Sequence, residues 1–147
     1  MDAIYSKLLT VLTSRVMMLS VGGALGTNAR YWLAFWLNEA AWRKHSAWLI
    51  AFPLGTFVIN VSGSFVLGLV GTIFLDRLPD YREWFLFFGT GFCGGYTTFS
   101  TFEWETLQLL RHNSWMMATV NVAGSVAVGF LGVVLGAAVG NLIFPRQ

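Results

Sequence analysis

Few residues in this chain of 147 could do covalent or metal chemistry. Cys93 is the single cysteine, which excludes an internal disulfide and a cysteine-based zinc cluster. His45 and His112 have no carboxylate or cysteine at metal-ligand or triad spacing. What the sequence does offer is neutral hydrogen-bonding groups inside apolar tracts. Thr56 and Asn60 are four apart and share a helix face, as do Asn121 and Ser125. Thr97, Thr98, Ser100 and Thr101 crowd into the segment GFCGGYTTFSTF that ends at Phe102. Any one of these groups is accounted for by an interhelical hydrogen bond. Three such groups on three segments point instead to a lined path for a small ion, and donors favour an anion. Carboxylates are missing from most of the apolar sequence, with only Glu103 and Glu105 near the end of its third tract.

The elements that must position these residues follow from composition. The chain is 56% hydrophobic and 11% charged, against roughly a quarter charged in a soluble domain. Nine basic and seven acidic residues cannot coat a soluble core of this size. A net charge of +2 is no nucleic-acid footprint. A bilayer core of ~30 Å needs about 20 apolar residues in helical form. Residues 16–37, 49–75, 84–110 and 115–144 meet that requirement, which predicts an all-α integral membrane protein of four transmembrane helices in a single domain, residues 1–147. Residues 1–15 form a retained amphipathic lead-in: Arg15 cuts short the apolar run after Lys7, and no convincing cleavage site follows. The seven tryptophans fall near span ends or in connections, as an interfacial belt requires.

Glycines recur at intervals of four, as Gly22/Gly26, Gly91/Gly95 and Gly132/Gly136/Gly140. That spacing predicts small stripes where helix backbones approach closely. The Gly94–Gly95 pair followed by Thr97–Thr98 is poor helix, so a break is expected near the middle of the third span. Broken backbone at membrane depth must be buried in protein or line a cavity, where freed carbonyls suit a cation. The side holding both termini carries Lys7, Arg15, Arg77, Arg82 and Arg146; the other carries Arg43, Lys44 and Arg111, with Arg30 nearby. This weak bias instructs orientation poorly and leaves two outcomes open, a single topology or insertion both ways as an antiparallel homodimer.

Four segments carry a family resemblance: GGALGTNARYW (Gly22 to Trp32), GTFVINVSGSFVLG (Gly55 to Gly68), GTGFCGGYTTFSTFEWE (Gly89 to Glu105) and NVAGS (Asn121 to Ser125). They resemble the signature segments of the Fluc/CrcB family of fluoride channels. The resemblance implies a dual-topology homodimer in the bacterial inner (plasma) membrane, with two antiparallel pores that passively export fluoride and so protect the cell from its toxicity. It implies that Phe99 and Phe102 line each pore with ring edges, the positive part of the ring quadrupole, and that Asn60 faces the pore as a donor. Thr56, Thr98, Ser100, Thr101, Asn121 and Ser125 are candidates for the accompanying polar track, with Thr98 or Ser100 as alternative caps of the break. By the same resemblance, main-chain carbonyls of Gly94 and Thr97 hold a structural sodium ion on the dimer axis. Arg30 is expected at an aqueous vestibule, or snorkelling at the interface; Glu105 occupies a family glutamate position whose role stays open. Tyr96 departs from the aliphatic or phenylalanine side chain expected there. Two other readings of four apolar spans are a small proton-coupled multidrug or cation exporter, which lacks here a carboxylate in the first span, and a structural tetraspan protein that transports nothing.

Overall fold

The computed structural model describes residues 2–43 and 51–145, with the backbone alone for residues 2, 3, 5–9, 11–13, 41 and 42. Lys44, His45, Trp48 and Arg146 lie outside the described residues, and with them part of the charge balance expected to govern orientation. Among the described residues the fold is helical and holds no strand. Helix α1 covers Asp2–Arg43 without interruption, so the lead-in is the first part of the same rod. Helix α2 covers Leu54–Arg77 and winds into wider π turns over Thr72–Arg77. A short turn at Pro79–Tyr81 leads to α3, residues 83–96, also π-wound over Leu86–Cys93. Helix α4 is Phe99–Arg111 and α5 is Trp115–Ile143.

Two of these helices, α2 and α5, are long and apolar enough to cross a membrane. Pro53 fits just ahead of α2, where its missing N–H costs nothing, and Pro145 follows the end of α5. Exposed apolar side chains such as Met116, Val126, Phe130 and Leu142 cover α5, which is the arrangement of a protein whose solvent is lipid.

The glycine stripes do what their spacing predicts. Gly22 and Gly26 of α1 lie on the backbone of α3, with the Cα of Gly91 3.2 Å from where a Gly22 Cβ would stand. Gly95 returns the contact against Gly23. Gly132, Gly136 and Gly140 of α5 lie against Val61, Phe65 and Thr72 of α2, and Gly68 of α2 meets Val133. The molecule is therefore two tightly apposed pairs, α1 with α3 and α2 with α5.

The third span is broken, as expected, but two residues beyond the paired glycines. Gly94, Gly95 and Tyr96 stay helical, and Thr97 and Thr98 are extended at ψ 159° and 116°. The glycines serve close approach to α1; the β-branched threonines carry the break. Thr97 Oγ1 and its own N–H both donate to the Cys93 carbonyl, ending α3. Thr98 caps α4, its Oγ1 accepting from Thr101 N–H and donating to Thr101 Oγ1. Of the two caps the sequence left open, it is Thr98.

The turn between α4 and α5 rests on Asn113, a non-glycine residue with positive φ, 58°. Ser114 N–H reaches Leu109 O at 2.8 Å and Asn113 N–H reaches Leu110 O at 3.0 Å, a Schellman closure. Asn113→Val is expected to lower stability by about 1–2 kcal/mol, because a β-branched residue is strained in that conformation, whereas Asn113→Gly is neutral or better. Thermal midpoints in detergent check both.

Arg15 and Glu83 pair at 2.7 Å and tie α1 to the start of α3. The guanidinium beside Glu83 holds its carboxyl below the usual range, mainly through the side-chain hydrogen bond. A lowered folded value stabilises above the ordinary carboxylate pKa and loses that contribution as the pH falls through the folded value. Both groups are solvent-exposed, so the pair is weak. Glu83→Gln should lower the midpoint slightly at neutral pH and remove this part of any loss below about pH 4. A midpoint series against pH is the check.

Candidate functional site

The break positions the candidate residues. In an unbroken helix Thr98 N–H would reach back to the Gly94 carbonyl; here it donates to Asn60 Oδ1 at 2.8 Å, while Asn60 Nδ2 donates to Thr98 O at 3.0 Å. A single asparagine of α2 thus satisfies both main-chain groups of Thr98, which otherwise would be orphaned in an apolar setting. One amide hydrogen of Asn60 remains for another acceptor. The Gly94 carbonyl is released by the same diversion, and a Cβ on Gly94 would meet nothing within 4 Å among the described residues. Two other carbonyls near the break find partners in α1: Gly95 O accepts from Thr27 Oγ1 at 3.4 Å and Thr97 O from Arg30 Nη1 at 3.5 Å.

Two cavities flank the clamp. The first, about 490 Å³, is lined by Asn60, Thr98, Phe99, Phe102 and Ser125, with Gly94 and Thr97 at its wall. The rings of Phe99 and Phe102 lie 5.9 Å apart, inclined by 38°. Phe99 is 71% exposed and Phe102 half-buried. Ser125 Oγ is buried without a partner among the described residues. The second cavity, about 370 Å³, brings together Arg30, Thr56, Thr98, Thr101 and Glu105. Thr56 and Glu105 share this lining, and the carboxylate's buried Oε2 has no hydrogen-bond partner among the described residues. Thr98 belongs to both linings.

Of the residues expected from sequence, these two cavities gather all but two. Ser100 is exposed and lines neither. Asn121 is 0% exposed, outside both, and donates to Thr106. Three contributors escaped sequence reasoning. Thr90 joins the first cavity. Thr106 links α4 to α5. Tyr96, noted only as a departure, places its hydroxyl 2.9 Å from Ser62 Oγ, which donates to Val58 O, so the residue before the break is tied to α2 as well. Four-residue spacing from Phe102 was the one available signal for Thr106.

A helical fold with membrane-length apolar spans, a clamped helix break and a cavity lined by uncharged side chains beside it are the features of an integral membrane protein. The comparisons make that class specific. The profile of the family described as "CrcB-like protein, Camphor Resistance (CrcB)" matches residues 17–137. The chain is 41% identical over 129 residues to the fluoride-specific ion channel FluC of Acidobacterium capsulatum, covering 88% of this chain and 98% of that one. It is 39% identical over 123 residues to the FluC of Solibacter usitatus, covering 84% and 95%. The FluC of Pyrococcus abyssi is 39% identical over 120 residues, covering 82% and 90%. The chain belongs to the CrcB family.

Proposed function

We propose that this protein is a fluoride channel that lets the ion leave the cell passively through the plasma membrane. The observation that carries this reading is the first cavity: Asn60, Phe99, Phe102 and Ser125 converge there beside a helix break, and among the described residues no acidic side chain lines it. Relatives of similar length bearing the name fluoride-specific ion channel support it. Fluoride binds its water tightly, so a pore must replace that shell at nearly equal free energy. The spare amide hydrogen of Asn60, the hydroxyl of Ser125 and the ring edges of Phe99 and Phe102 are the neutral groups that do so. Chloride, being larger, cannot approach the same donors as closely. Arg30 and the hydroxyls of Thr56 and Thr101 form the vestibule and track in the second cavity, with Thr98 joining the two.

The working unit in this reading is an antiparallel homodimer of four-span subunits with two pores. Phe99 at 71% exposure and the apolar outer faces fit burial against a second copy, and the weak lysine and arginine asymmetry fits insertion in both orientations. A structural sodium ion on the dimer axis would be held by main-chain carbonyls. Gly94 fits that part, since the break frees its carbonyl and its surroundings are open. Thr97 O faces the cationic Arg30 at 3.5 Å, and serves a cation only with that side chain turned toward the vestibule. Two carbonyls per chain are too few for a hard cation, and a two-fold axis doubles them.

The test is efflux from proteoliposomes read by a fluoride-selective electrode, with chloride as the control ion. Rapid fluoride efflux without chloride efflux is expected, and Phe99→Ala should slow it about tenfold, the effect of losing ~1.4 kcal/mol at the limiting step. Proton-coupled cation exchange, equal chloride permeation or no transport would overturn the reading.

A further inference from the structure

Asn121 is wholly buried between α4 and α5, away from both cavities. Its Nδ2 lies 2.9 Å from Thr106 Oγ1, and that hydroxyl lies 2.8 Å from the Phe102 carbonyl. A hydroxyl has one hydrogen, and here the carbonyl must receive it, so Thr106 accepts from Asn121. The order of donors is thereby forced: Asn121 to Thr106 to Phe102. It also fixes the amide orientation, leaving Asn121 Oδ1 buried without a partner among the described residues. A carboxamide that keeps an unsatisfied oxygen in an apolar interior carries a cost that the relay alone offsets.

The location gives the relay a purpose. Helix α4 begins at a break, directly after two extended residues, so no helical hydrogen bonds from α3 hold its first turn. Side-chain hydrogen bonds from other helices hold that stretch instead. Asn60 of α2 grips Thr98, and Asn121 of α5 grips Thr106; Phe99 and Phe102 lie between these two points. We propose that Asn121 is a positioning residue for the pore: acting through Thr106, it pins the first turns of α4 to α5 and sets how far the Phe102 ring stands into the cavity shared with Asn60 and Ser125. The proposal rests on the reading of that cavity as the fluoride path.

Thr106→Val removes the hydroxyl at constant shape and leaves both asparagines in place. The protein should assemble, with fluoride efflux falling about tenfold, the scale of one lost hydrogen bond, and with a lower fluoride-over-chloride ratio. Thr106→Ser restores both quantities, and Asn121→Leu added to Thr106→Val lowers them no further, since one relay is already cut. Asn121→Leu alone, read by the same two quantities, is the second arm should Thr106→Val not assemble. An unchanged ratio in both variants, or additive losses in the double variant, overturns the relay while wild-type efflux persists. Vesicles with wild-type protein that release no fluoride overturn the pore reading itself.

Discussion

Asn60→Leu is expected to abolish measurable fluoride efflux, a loss of about 100-fold or more. The leucine is similar in size and fills the same space, so the effect is one of hydrogen bonding. Two bonds disappear together, from Thr98 N–H at 2.8 Å and to Thr98 O at 3.0 Å. Each main-chain group left unpaired in an apolar interior costs about 1–3 kcal/mol. The extended pair Thr97–Thr98 then has reason to rewind into helix, with Thr98 N–H returning to the Gly94 carbonyl. Rewinding rotates α4, takes Phe99 and Phe102 out of the cavity and closes the carbonyl that a cation would use. The spare amide donor is lost as well. Gel filtration should show assembled protein, and efflux from proteoliposomes should match protein-free vesicles. Efflux at the wild-type rate would mean that the clamp has no part in conduction.

Gly136→Val is expected to destroy the fold. A Cβ there would run into the Phe65 carbonyl oxygen and stand 2.9 Å from both Phe65 C and Leu69 N. These are main-chain atoms of α2 and cannot rotate away, so α2 and α5 must separate along their length. Overpacking of this kind costs about 3 kcal/mol or more, enough to unfold many marginally stable proteins. Gly124→Ala on the same helix is the control, since its nearest neighbour is Phe57 Cε2 at an ordinary 3.6 Å. Solubilised yield and thermal midpoint should collapse for the first variant and hold for the second.

These two positions show how differently parts of the molecule were legible. Gly136 announced itself, because a four-residue repeat of glycines in an apolar helix has one physical use, close backbone approach. The break was legible to within a few residues. Its exact place was not, since helix propensity counts glycine as the weak point, while here Gly95 is held helical by its contact with α1 and Thr98 is drawn out by Asn60. Tertiary bonds outweighed local preference. Asn60 itself was legible as a polar group in an apolar span, but its two hydrogen bonds to one residue's backbone depend on a partner 38 positions away. Thr106 and Tyr96 were missed because a hydroxyl in a sequence does not reveal which helix it will meet.

By itself, the sequence determined the solvent, the helical class and the chemistry. Scarcity of charge demands lipid, lipid demands that every backbone group be satisfied within helices, and the scarcity of carboxylates in the apolar tracts leaves neutral donors as the groups proposed to handle an ion. Only the tertiary structure decided which donors remain available. A hydrogen-bonding group has few places to bond, and whether Asn60, Asn121 or Thr98 spends them on a neighbouring helix or keeps one for an ion depends on distances that packing alone sets.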